Sequence, residues 1–150
     1  MGRALRDKLL ATGHTVLGIA RRPQKAAECF YPIALDLSDL DSLPQAMDQI
    51  QRTNPPLDAV VCCAGQGRFG TLEQFSPSQI RDLIDLVFTS HALVVRSLLP
   101  VMKRRHTGRI VFLGSEAALR GTQKGTIYCA AKFALRGFAQ ALREETARHG

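Results

Sequence analysis

The chain has 150 residues, 45% hydrophobic and 22% charged, with a formal net charge of +7. Apolar residues recur throughout, which excludes a disordered polar chain and suits one compact domain over residues 1–150. The basic residues are scattered, with no basic helix and no aromatic stacking platform. They read as solvated surface rather than a nucleic-acid footprint.

The N-terminus, MGRALRDKLL, carries charges every few residues and lacks the apolar stretch of a signal peptide, so a cytoplasmic protein is expected. Arg3–Thr12 reads as a helix stopped by Gly13. HTVLGIA (His14–Ala20) and YPIALDL (Tyr31–Leu37) read as strands. A helix follows with Leu40, Leu43, Met47 and Ile50 on one face, after DLSDLDS has offered several capping side chains. LDAVVCCA (Leu57–Ala64) is a third strand. Ser78–Arg105 is a long helix with an apolar stripe from Ile80 through Val87, His91 and Val94 to Met102. GRIVFLG (Gly108–Gly114) is a fourth strand. Ile127–His149 is a closing helix with Ala130, Ala131, Ala134, Leu135, Phe138, Ala141 and Leu142 on its stripe. The strands are near-continuously apolar, as parallel strands covered on both faces should be. Their alternation with helices predicts an α/β fold with a doubly wound parallel sheet.

Such a sheet normally begins with a strand that becomes central. This chain opens on a helix and closes on a helix, so it reads as cut at both ends, with an empty central slot. No uninterrupted apolar run approaches the ~20 residues of a membrane helix, and no membrane partner is expected. Cys29, Cys62, Cys63 and Cys129 form no metal-binding or disulfide pattern, and the adjacent pair reads as small buried hydrophobes.

The motifs now resemble the classical short-chain dehydrogenase/reductase family, in order and spacing, over essentially the whole chain. GRAL at Gly2 is similar to the tail of the family's glycine-rich phosphate turn. GIARRP ends a strand with Ala20 where an acidic residue would favour NAD, followed by Arg21 and Arg22, whose guanidinium groups suit the 2′-phosphate of NADP. Asp36 and Leu37 of LDLSD match the family's adenine contacts; the competing reading, compatible with the first, is that Asp36 or Ser38 caps the following helix. CCAG resembles the family's NNAG, with Ala64 and Gly65 where the backbone approaches the cofactor. Ser115 ends GRIVFLGS thirteen residues before Tyr128, and Tyr128 lies four before Lys132, so the last two share a helix face.

The resemblance implies an incomplete Rossmann-like fold and hydride transfer between NADP(H), rather than NAD, and a small carbonyl or alcohol. Ser115, Tyr128 and Lys132 would be catalytic. Tyr128 and Lys132 would also meet the cofactor, and Ser115 and Tyr128 the substrate. A phenol titrates near ~10 and needs an adjacent ammonium to act as a base at neutral pH, and Lys132 supplies it. The family's proton-relaying asparagine falls on Val87, with Thr89 or Ser90 as substitutes under a shifted register. His91 reads as a packed or interface histidine. The family also implies a homodimer or homotetramer, with Ala130, Ala134 and Ala141 allowing close helix packing. A non-catalytic dinucleotide-binding or scaffold protein, or an inactive piece of an enzyme, are the competing readings. Neither substrate identity nor reaction direction is legible.

Overall fold

The computed structural model describes residues 1–22 and 24–149; Pro23, which closes the GIARRP stretch, and Gly150 lie outside the described residues. In chain order the elements are α1 (Gly2–Ala11), β1 (Val16–Ala20), β2 (Phe30–Ala34), α2 (Leu43–Thr53), β3 (Ala59–Cys62), α3 (Pro77–Ile84), α4 (Ser90–Arg105), β4 (Arg109–Phe112) and α5 (Thr126–Thr146). Short 3-10 turns occupy Leu72–Gln74, Glu116–Ala118 and Ala147–His149. Helix α1 stops as its sequence predicts: Gly13 takes φ +82°, a left-handed conformation that glycine adopts without steric cost, and its N–H donates to the Leu10 carbonyl.

Both pairs of strands are parallel. Val16 to Ala20 lie opposite Phe30 to Ala34, and Ala59 to Cys62 lie opposite Arg109 to Phe112. Among the described residues the strands form two two-stranded sheets, β1–β2 and β3–β4, rather than one ladder. A shared core joins them. Leu17, Ile19, Ile33, Val60 and Ile110, drawn from all four strands, pack on Leu43, Met47 and Ile50 of α2 and Val94, Leu98 and Met102 of α4. The alternate strand residues face the other way. There the Phe30 ring lies over Gly18, where an added Cβ would come within 2.7 Å of it. Arg6 of α1 stacks on the same ring at 4.9 Å. Helices therefore cover both faces, as expected of a doubly wound fold.

The expected burial of every strand on both faces is not met. Most strand residues are half-buried, and Val111 is 44% exposed. Val111 alternates with Ile110 and so points to the face of α1, which no other described helix shares. A further cluster, Cys62, Val95 and Leu142 with Phe112 and Phe138, seats α5 beside α4 on β3–β4.

The long helix starts with Ser76 and Gln79 in a reciprocal capping box, with Pro77 in the first turn. It is not uniform. A π-helical turn, Asp85–Thr89, separates α3 from α4, where the pattern predicted one regular helix. By length and composition alone Pro77–Arg105 is apolar enough to cross a membrane, although charges interrupt it. In this fold Leu83, Val87, Val94, Val95, Leu98 and Met102 are buried against neighbouring elements. Nor does Asp36 or Ser38 cap α2. The cap position is Ser42, which makes no side-chain cap bond and donates its hydroxyl to the Asp39 carbonyl, while Asp36 accepts from Ser38.

Candidate functional site

Strand β4 ends at Phe112 and delivers Ser115 beyond its carboxyl end. Ser115 Oγ accepts from the Ala117 N–H at 3.2 Å, capping the 3-10 turn Glu116–Ala118. The accepted bond fixes the oxygen and leaves the hydroxyl proton free to donate outward. The loop that follows is pinned to α5: Arg136 Nη1 donates to the Ala118 carbonyl at 3.1 Å, and Cys129 Sγ lies 3.4 Å from Thr122 Oγ1. Gly125 sits in this corner because a Cβ there would meet Thr122 Oγ1 at 2.3 Å.

Tyr128 and Lys132 occupy the first turns of α5, one turn apart on one face. Lys132 is 6% exposed, and its Nζ donates to the Leu113 carbonyl at 2.8 Å. Its ammonium is thus held at the end of β4, two residues before Ser115, and 5.9 Å from the centre of the Tyr128 ring. Burial pulls the Lys132 pKa below that of a free lysine. Tyr128 is half-buried. Phe69, from the loop after β3, meets it edge to face at 5.6 Å while remaining 62% exposed.

The other motif residues lie beyond the carboxyl ends of their strands, the edge on which open α/β sheets bind ligands. Arg21 and Arg22 follow β1, are exposed, and together line a surface recess. Asp36 follows β2. Its Oδ1 accepts from the Ser38 hydroxyl at 2.6 Å and the Ser38 N–H at 2.9 Å. Those two bonds, with the Arg21 charge, hold its carboxyl below the usual range. Leu37 is half-buried against the α2–α4 core. After β3, Ala64 is half-buried and Gly65 takes φ +151°, which a side chain would strain. The start of α1 closes on the same place, since a Cβ on Gly2 would lie 3.3 Å from Cys63 Sγ. Cys62 is buried, its thiol pushed up to about 12 by desolvation and by Cys63. Cys63 is only half-buried, so one of the pair departs from the expected burial.

Val87 lies in the π turn, fully buried, and packs with Ala131 of α5. It would sit 3.8 Å from a Cβ placed on Gly65. Thr89 and Ser90 do not take over a relay. Thr89 Oγ1 donates to Asp85 Oδ1 at 3.1 Å, and the fully buried Ser90 donates to the Leu86 carbonyl at 2.9 Å. His91, expected to be a packed or interface histidine, is packed inside the chain: it is 1% exposed, with neither ring nitrogen hydrogen-bonded. Phe69 is the site neighbour that the sequence reading missed, and its own segment left no signal for it.

The short chain dehydrogenase family model matches residues 1–150. The chain belongs to this family. Human 17-beta-hydroxysteroid dehydrogenase type 1 is 34% identical over 110 residues, covering 73% of this chain and 33% of that protein. Mouse 3-ketodihydrosphingosine reductase is 34% identical over 140 residues, covering 93% of this chain and 41% of that one. This chain thus spans well under half the length of these two curated relatives. A solved metagenomic short-chain oxidoreductase in complex with NADP matches 99% of this chain and 71% of its own, at TM-score 0.91 and 26% identity. A short-chain dehydrogenase from Streptomyces avermitilis matches 99% of this chain and 58% of its own, at TM-score 0.91 and 28% identity. These likenesses make the fold Rossmann-like.

Proposed function

We propose that this chain is the dinucleotide-binding and catalytic part of an oxidoreductase that interconverts a small carbonyl compound and its alcohol with NADP(H). The observation carrying the reading is the buried Lys132 ammonium, tied to the end of β4 at Leu113 and lying against the Tyr128 ring, with Ser115 two residues further on. The fit to a dinucleotide rests on the crowding of Gly2 against Cys63, the left-hand backbone of Gly65 and the exposed arginine pair. Gly2, Ala64 and Gly65 would admit the cofactor backbone, Asp36 and Leu37 the adenine, Arg21 and Arg22 a 2′-phosphate, and Tyr128 and Lys132 the nicotinamide ribose. The nicotinamide, when bound, supplies or accepts the hydride.

The protein handles the proton. In the reducing direction Tyr128 donates its phenolic proton to the substrate oxygen, and Lys132 stabilises the phenolate left behind. Ser115 keeps its proton and donates a hydrogen bond to the same oxygen, holding it in place. In the oxidising direction the Tyr128 phenolate removes the alcohol proton. The metagenomic relative solved with NADP supports the cofactor class.

Two measurements test this in the enzyme expressed from the complete reading frame. Tyr128→Phe should lower kcat by roughly 10²–10⁴-fold, the usual worth of a positioned acid or base, while dinucleotide affinity by fluorescence titration stays near wild type. Wild-type turnover in that variant would overturn the assignment. Replacing Arg21 and Arg22 together by serine should weaken NADPH binding by about tenfold or more, the loss of a charge-assisted contact, and leave NADH binding nearly unchanged. Equal loss for both dinucleotides would remove the case for NADP(H).

A further inference from the structure

If Tyr128 bonds the reacting oxygen, whatever surrounds its ring meets the groups carried by the reacting carbon. On its inner side Tyr128 packs against the cluster of Phe75, Leu83, Val87 and Ala131. Phe69 meets it from the loop after β3, edge to face, with 5.6 Å between ring centres. Unlike the cluster residues, Phe69 is 62% exposed, so most of its ring faces solvent.

The ring is held in place by its own loop. It lies across Gly67, where an added Cβ would come within 3.0 Å of Phe69 Cε2. The following residue, Gly70, is buried, and its N–H donates to the Lys124 carbonyl at 2.8 Å. A Cβ on Gly70 would meet Gln74 Oε1 at 3.0 Å and Phe75 Cε2 at 3.3 Å, so this anchor is packed as well as bonded. The Gly70–Lys124 bond ties the loop after β3 to the loop that runs from Ser115 into α5. Each of these loops carries a further exposed apolar side chain, Leu72 on the first and Leu119 on the second.

A single exposed apolar side chain is ordinary on a protein surface. Phe69 differs in being anchored against the phenol that would bond the substrate. A ring already held in place loses little conformational freedom when a ligand covers it. Covering it removes apolar area from water on both partners. A carbonyl compound bearing hydroxyls or charge would instead give up water to a face that offers no hydrogen bond.

We propose that Phe69 is a specificity-determining residue. It forms one wall of the substrate site and selects ketones, and the matching secondary alcohols, whose reacting carbon carries an extended apolar group. The proposal rests on the reading of Tyr128 given above and deepens it by naming the substrate class. The apolar group covers the open part of the Phe69 ring while the substrate oxygen bonds Tyr128 and Ser115. Phe69 moves neither hydride nor proton; it decides which substrate is held.

The test measures kcat/KM for 2-butanone, 2-octanone and dihydroxyacetone with NADPH, in the complete enzyme and in Phe69→Ala, Phe69→Leu and Phe69→Asn. Each methylene taken out of water is worth about fourfold. The parent should therefore favour 2-octanone over 2-butanone by about tenfold or more. Phe69→Ala should lower that ratio by about fivefold or more. Phe69→Leu, still apolar, should keep most of the preference, and Phe69→Asn should lose it as alanine does. Phe69 is exposed, so these replacements leave the core intact, and NADPH affinity by fluorescence titration should stay near that of the parent. A ratio unmoved by Phe69→Ala overturns the proposal. An equal fall for every ketone also overturns it and makes the ring a support for Tyr128 only. Weakened NADPH binding overturns it by making Phe69 a cofactor contact. So does a parent that prefers dihydroxyacetone to 2-octanone, or that binds NADPH and reduces neither. If Tyr128→Phe is inactive on whichever carbonyl the parent turns over, these outcomes defeat only the role of Phe69. Turnover surviving in Tyr128→Phe defeats the underlying reading.

Discussion

His91 is held neutral by its position. Burial first, and then the Lys132 charge, push its pKa down to about 4, with the Ala64 backbone opposing weakly. An unfolded histidine titrates near ~6.5. Above that pH both states are neutral there and His91 adds no pH dependence. Between the two values the unfolded chain takes up a proton that the native state refuses. Stability therefore falls as the pH drops through this window, and the loss is complete near the lower value. The displacement is worth on the order of 3 kcal/mol at about 1.4 kcal/mol per pH unit. Urea unfolding midpoints measured between pH 7 and 4 should fall more steeply for the parent than for His91→Leu. The carboxylates, Asp36 included, titrate in both proteins, so the difference isolates the imidazole. Parallel curves would mean that the ring is solvated or paired in solution.

At the scale of elements, local spacing was legible and contact across elements was not. The four strands and the helices between them follow from apolar runs and their punctuation. Tyr128 and Lys132 share a face because helical spacing is a one-dimensional property. The π turn was invisible: Asp85–Thr89, DLVFT, keeps the apolar rhythm of a regular helix. Within that turn Val87 is buried in one cluster with Ala131 of α5, a contact between elements that the sequence of either one does not display. Helix α5 shows the same limit. Its predicted stripe joined two adjacent rows, yet Ala131, Leu135 and Leu142 are buried while Ala130, Ala134 and Ala141 are exposed. Phe69 reaches Tyr128 from the loop after β3. Nothing in its own segment marks that meeting, which depends on how β3 and α5 are placed together.

The whole molecule is held together by its core rather than by a continuous ladder. Val16 N–H donates to the Cys29 carbonyl, and the Ala20 carbonyl accepts from Leu35 N–H. In a parallel pair this aims the backbone of Val16, Gly18 and Ala20 at β2, and that of Leu17 and Ile19 away from it. On the other sheet, Arg109 N–H donates to Asp58 and Leu113 N–H to Cys62, so Val60 is aimed at β4 and Val61 away. The side chains of Leu17, Ile19 and Val60 nonetheless share one cluster with α2 and α4. Side-chain burial and backbone pairing are thus uncoupled along β1 and β3. Amide hydrogen exchange reads the second directly, because an unpaired N–H exchanges without local opening. Gly18, Val60 and Val111 should be protected, while Leu17, Ile19 and Val61 exchange faster by about tenfold or more, the factor expected when a net hydrogen bond of about 1.4 kcal/mol is absent. Protection of Leu17 and Ile19 equal to that of Gly18 would mean that this edge of β1 is paired in solution, and the two sheets would then have to be redrawn as part of a wider one.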